Sequence, residues 1–231
     1  MATFVIAHGA WGGGWAWMTV RPLLRAAGHD VFTPTYTGLG ERAHLLSPEI
    51  DLDTHVRDVL GVLECEDLRD VMLVGHSYGG MVATGAAARA RDRVARLVYV
   101  DAFAPRDGEC LFDLTEPGAR ERFETLAAAE GFGWLVPASG PSHPNRPGPD
   151  RRHPHPLASF RQPLRYDPAA LAGIPRTYVR CTAPAMPGLE RSAERARTEP
   201  GWRYVELETD HNPQYAAPED LTAILIEAAK D

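Results

Sequence analysis

The stretch VMLVGHSYGGMV, residues 71–82, restricts the fold more than any other part of the chain. Four apolar residues run into Gly75, and a second run of small and apolar residues follows Gly79. The first reads as a buried strand and the second as a buried helix. Between them, Gly75-x-Ser77-x-Gly79 demands a reversal so tight that the serine takes a strained backbone conformation. Small flanking residues then let neighbouring backbone pass close by. Ser77 is therefore a candidate nucleophile above a sheet, with the amide of Tyr78 facing any oxyanion formed by its attack. The plainer alternative is a strand-to-helix link with no chemistry.

The rest of the chain supports a sheet around that turn. Strand signals fall at residues 3–8, 31–35, 71–75, 96–102, 176–182 and 202–209. Helical spacing falls between them at 15–27, 53–63, 77–90, 189–198 and 218–230, with Asp51 or Asp53 as a cap for the second. Strands alternating with helices imply right-handed crossovers and an α/β fold, with a mostly parallel sheet covered by helices on both faces. The alternation breaks at residues 105–172, which are weakly helical and then dense in proline, too poor in donors and periodicity for a core element. This segment reads as a lid inserted into a core formed by residues 1–104 and 173–231. Sites in such sheets lie at the carboxyl ends of the strands, so the lid would close over them.

Composition narrows the partners. A chain of 231 residues with net charge -7 has no basic footprint, so a nucleic-acid partner is not expected. No apolar run is long enough to span a bilayer, and the start MATFVIAHGA has no basic flank of a signal peptide. Cys65, Cys110 and Cys181 lie far apart, without CxxC spacing, and read as buried free thiols in a reducing, cytoplasmic setting. The pair His153 and His155 lacks partners at ligand spacing, so no metal is expected. Nothing in the sequence fixes the oligomeric state.

A serine nucleophile needs a base and donors for its oxyanion. HGAWGGGW follows the first strand, and its glycines can aim the Ala10 amide at the oxyanion beside that of Tyr78. His211, in ELETDHNP after the last strand, is the natural base. His8 and His76 precede the two turns and read as packing or pocket-lining residues, and His44 and His55 as pocket or surface. Trp11, Phe103, Phe112 and Trp134 are candidates for an apolar substrate pocket beneath the lid, or for core.

Together, FVIAHGAWGGGWAW, VMLVGHSYGGMV, LVYVDAFAPRDGE and LETDHNPQYAAPEDL resemble the small α/β-hydrolases of the hydroxynitrile lyase and plant methyl-esterase group, in its bacterial esterase-like branch. The resemblance spans nearly the whole chain and is weakest across the lid. It implies a Ser-His-acid triad, a cap over the pocket and no cofactor. The acid departs from the plant pattern: VRCTAPAMPGLERS puts Ala183 and Pro184 where those relatives carry aspartate. Asp210 adjoins His211, and adjacent side chains diverge. Asp101 ends the strand after the nucleophile helix, where haloalkane dehalogenases carry a carboxylate, and it is the expected acid; a cap or turn role is its alternative.

The expected activity is hydrolysis of a small, largely apolar carboxylic ester, lactone or thioester through an acyl-enzyme on Ser77. Hydroxynitrile lyase chemistry is disfavoured, because it leans on a lysine near the histidine and the only lysine here is Lys230. A non-catalytic small-molecule binder and a biosynthetic-pathway enzyme on the same fold are the remaining alternatives.

Overall fold

The computed structural model describes residues 1–230. Six strands form the main sheet: β1 (Thr3–Ala7), β2 (Asp30–Phe32), β3 (Val71–His76), β4 (Val94–Val100), β7 (Arg176–Cys181) and β8 (Trp202–Leu207). Their order is β2-β1-β3-β4-β7-β8, and every neighbouring pair is parallel, so the sheet is parallel throughout. The chain steps from β1 to β2 on one side, then crosses to β3 on the other. That reversal of direction places the switch point, where ligands bind in such sheets, between the carboxyl ends of β1 and β3.

Alternation along each strand divides the core in two. Val5, Leu73, Leu97 and Tyr99 face α2 (Leu52–Cys65) and α3 (Gly79–Arg89). Phe4, Ile6, Met72, Val74 and Val98 face α1 (Val20–Ala26) and α8 (Pro218–Ala228), where Leu24, Leu221 and Leu225, with Trp17 just before α1, meet them. A period of two with apolar residues on both phases is what a sheet buried on both faces requires. Asp51 caps α2 by accepting from the Thr54 amide at 2.8 Å.

The first helix is shorter than its spacing suggests. Residues Gly14–Trp17 form a 3₁₀ turn and the α-helix starts at Val20. A helix running on from residue 15 would need an N–H from Pro22 to the Met18 carbonyl, and proline has none. The second strand spans only Asp30–Phe32, and Cys65 at the end of α2 is exposed rather than buried.

Between β4 and β7 lie α4 (Leu111–Leu114), α5 (Ala119–Glu130), the antiparallel pair β5 (Leu135–Val136) and β6 (His155–Pro156), and α6 (Leu157–Arg161). The proline-rich part of this segment does supply core, contrary to its composition: His155, Leu157, Phe160 and Leu164 are buried. Pro156 caps α6 in an extended conformation, where no donor is required of it. Among the described residues no helix is long and apolar enough to cross a membrane.

Helix α3 approaches the sheet closely enough to fix two glycines. A Cβ on Gly79 would lie 2.1 Å from the Ala7 carbonyl oxygen, and one on Gly80 2.1 Å from that of Phe103. Backbone cannot step aside as a flexible side chain would. Gly79→Ala is expected to cost about 2–3 kcal/mol, lowering Tm by about 5–10 °C in a thermal melt; an unchanged Tm would refute this reading of the contact.

Candidate active site

Three non-glycine residues with left-handed backbone stand at neighbouring strand ends: Trp11 (φ 60°) after β1, Ser77 (φ 53°) after β3 and Asp101 (φ 41°) after β4. Such conformations cost on the order of 1–3 kcal/mol each and persist where the surroundings over-determine them. At Ser77 the surroundings are explicit. Its amide donates to the Val100 carbonyl at 3.3 Å, and its own carbonyl accepts from Phe103 at 3.1 Å. A Cβ on Gly75 would meet Gly79 and Gly80 backbone at 2.7–2.8 Å, so the turn closes only with glycine there.

Asp101 is fully buried and has both oxygens engaged. Oδ2 accepts from His211 Nδ1 at 2.7 Å, while Oδ1 accepts from Arg180 Nη1 at 3.0 Å and from the Cys181 amide at 3.2 Å. The carboxylate thus draws the His211 proton to Nδ1 and leaves Nε2 with its lone pair, the tautomer a general base needs. Arg180 was not singled out from the sequence. Its signal was there: a charged side chain in an otherwise buried parallel strand needs a buried partner. Asp210 turns away from His211 and accepts instead from His143 Nε2 at 2.8 Å. Glu190 opens α7 (Glu190–Thr198) and accepts from the Gly188 amide at 2.7 Å.

A set of neutral histidines holds the two turns. His8 donates from Nδ1 to the Gly9 carbonyl at 2.8 Å and accepts the Tyr36 amide at Nε2, 3.2 Å. His76 donates from Nε2 to the His211 carbonyl at 2.8 Å. His55 donates to the Thr37 carbonyl and accepts the Tyr78 hydroxyl at 2.8 Å. His155 accepts the Trp11 amide at 3.3 Å and donates to Ser159 at 2.9 Å. Burial lowers His8 to about 4 and His55 to about 3; burial and then the nearby His211 ring lower His76 to about 3. Burial also lowers His155, so each imidazole stays an uncharged donor–acceptor bridge. His55, open from sequence between pocket and surface, is neither: it is fully buried behind Tyr78.

Residues 4–224 match the family described as the alpha/beta hydrolase family. A carbendazim hydrolyzing esterase of Nocardioides sp. is 37% identical, over 96% of this chain and 97% of that protein. The chain belongs to the alpha/beta hydrolase family. Methylesterase 7 of Arabidopsis thaliana is 27% identical over 98% of this chain and 95% of its own. Among solved structures, an extracellular alpha/beta-hydrolase from a Paenibacillus species superposes with a TM-score of 0.87 at 25% identity, covering 100% of both chains. That protein shares structural and functional homology with tobacco salicylic acid binding protein 2.

In this alpha/beta hydrolase, two spaces meet at Ser77. One is a cavity of about 80 Å³ walled by Trp11, Phe103, Leu111, Phe123, Phe160 and Met186, with Ala10 and Tyr78 beside the serine. The other, about 210 Å³, has His211, Asn212, His76, Arg152 and Ser139 on its walls. Of the four aromatic residues expected to bind substrate, Trp11 and Phe103 line the apolar cavity. Phe112 and Trp134 do not. Phe112 packs behind it, with ring centres 5.9 Å from Phe123 and 6.2 Å from Phe160, and Trp134 gives its carbonyl to the Leu157 amide. Phe123 and Phe160 take their place. Both lie in the segment with the weakest sequence pattern, and only the packing of α5 against α6 brings them to the serine.

Proposed function

We propose that this chain hydrolyses a small carboxylic ester through an acyl-enzyme on Ser77, with His211 as base and Asp101 as the carboxylate that orients it. The observation that carries this reading is the 2.7 Å His211–Asp101 bond at the rim where Ser77 stands in its strained turn. Its relatives' names, esterase and methylesterase, support the same chemistry.

The steps follow from the groups present. Ser77 Oγ attacks the ester carbonyl carbon as His211 Nε2 takes its proton, and the carbonyl electrons move to oxygen between the Ala10 and Tyr78 amides. The oxyanion collapses, the C–O bond to the alcohol breaks, and His211 returns the proton to the leaving alkoxide. Water then repeats the sequence on the acyl-serine and releases the acid. Asp101, between His211 and Arg180, stabilises the imidazolium formed in both halves.

Residues 105–172 act as a lid in this reading, contributing Phe123 and Phe160 to the wall over the serine. The three free cysteines favour a reducing compartment, the cytosol. Hydrolysis of p-nitrophenyl butyrate by wild type, with loss of at least about 10³-fold in Ser77→Ala and stoichiometric labelling of wild type alone by a fluorophosphonate, is the expected result. A wild-type protein that neither turns over the ester nor takes the label would point to a binding pocket instead.

A further inference from the structure

The carboxylate beside His211 has a second partner, and that partner carries charge. Asp101 Oδ2 accepts from His211 Nδ1 at 2.7 Å, while Oδ1 accepts from Arg180 Nη1 at 3.0 Å. Both members of the ion pair are withdrawn from water, with side chains 0% and 8% exposed. The guanidinium is held on its other side too. Arg180 Nη2 donates to the Met186 carbonyl at 3.3 Å and lies 3.6 Å from Glu190 Oε1. The fork is therefore fixed between the carboxylate and the loop that leads into α7, whose Met186 walls both spaces beside Ser77.

A hydrogen bond alone does not call for arginine at this place. The Cys181 amide already donates to the same oxygen at 3.2 Å. What arginine adds is a charge that persists at any working pH. With Arg180 present, Asp101 and an uncharged His211 complete a buried group of no net charge, and a further proton makes it positive. Without Arg180 the same group starts negative, and a proton neutralises it. Burial disfavours net charge, so the group lacking arginine takes up its proton at higher pH, whichever of the two side chains holds it.

The other groups around the pair do not replace that charge. His76, at the end of β3, has its ring 4.9 Å from that of His211 and is kept uncharged by burial and then by that ring. On β7, burial raises Tyr178 and Cys181, so both keep their protons. After β8, Asp210 is paired with His143 at 2.8 Å. From the lid, Arg152 walls the cleft with His211 and is itself paired with Asp150 at 2.8 Å. Glu190, at the start of α7, meets the far side of the guanidinium with a side chain 68% exposed.

We infer that Arg180 is a positioning residue acting through Asp101: its charge keeps His211 unprotonated, and so able to serve as base, to lower pH than the carboxylate alone would allow. This rests on the ester-hydrolase reading above.

The test compares Arg180→Gln, which loses the charge and keeps an N–H donor, with Arg180→Lys, which keeps the charge and loses the planar fork. For each, kcat/KM for p-nitrophenyl butyrate is followed from pH 5 to 9 beside a thermal melt. In Arg180→Gln the acid limb of the profile should move up by about one pH unit or more, so the ratio of wild-type to variant rates grows as pH falls. In Arg180→Lys the limb should stay within about half a unit of wild type, with the rate lowered by a similar factor at every pH. A Gln variant slowed by one constant factor across the range would make Arg180 a structural tie and overturn the inference, leaving the esterase standing. Should the Gln variant not fold, the Lys variant decides: a limb in place supports the role, and one displaced by about a unit or more overturns it. A wild type without turnover at any pH would remove the ester-hydrolase reading and this role together.

Discussion

Asp101→Asn is expected to lower kcat for ester hydrolysis by about 10⁴-fold with little change in KM. The size follows from the hydrogen bonds. Arg180 and the Cys181 amide both donate to one oxygen of this carboxyl group, so an asparagine must turn its own oxygen toward them. Its NH₂ then faces His211, whose Nδ1 must become an acceptor. The imidazole proton moves to Nε2, the one atom that has to receive the proton of Ser77. The fold should survive, because Arg180 keeps its oxygen partner; a thermal melt run beside the kinetics separates the two effects. Activity within tenfold of wild type would remove Asp101 from the mechanism.

Acid should unfold this protein earlier than its carboxylates alone would require. His8, His55 and His76 are held neutral by burial, with values of about 4, about 3 and about 3 against about 6.5 in an unfolded chain. Below pH 6.5 the unfolded chain takes up protons that the folded one refuses, so stability falls as pH drops toward 4. Only near pH 4 to 3 do the folded imidazoles begin to charge. At about 1.4 kcal/mol per pH unit for each site, the three together reach on the order of 10 kcal/mol by pH 4, comparable with the whole stability of a typical domain. Urea unfolding at pH 7, 6, 5 and 4 measures this directly, with the midpoint expected to fall steeply below pH 6. A midpoint constant from pH 7 to 4.5 would mean that these imidazoles are charged or hydrated in the folded state.

Much of the rim around Ser77 was legible in the sequence because it is local. A glycine-flanked serine between a buried strand and a small-residue helix can close its turn in only one way, and Cβ atoms at Gly75 or Gly79 would strike backbone. The carboxyl-terminal strand ends carry Ala10, Ser77, Asp101 and His211 because a parallel sheet collects its strand ends on one edge. The segment from 168 to 209 contains no aspartate, and the resemblance to haloalkane dehalogenases pointed instead to Asp101 at the end of the strand after the serine helix.

What the sequence could not express was the long-range polar and lid packing. Arg180 reaches Asp101 across 79 residues, and Trp11 meets His155 across 144. The proline-rich segment has no period to read, yet it delivers Phe160 and His155 to the core, because its contacts are made to distant elements rather than along itself. The substitution of Phe123 and Phe160 for Phe112 and Trp134 on the cavity wall has the same cause. Local steric rules determined the serine turn and the parallel sheet from sequence alone. The pocket's shape and the second partner of the Asp101 carboxylate were decided by tertiary packing, where burial favours a partner for a polar group wherever the fold brings one.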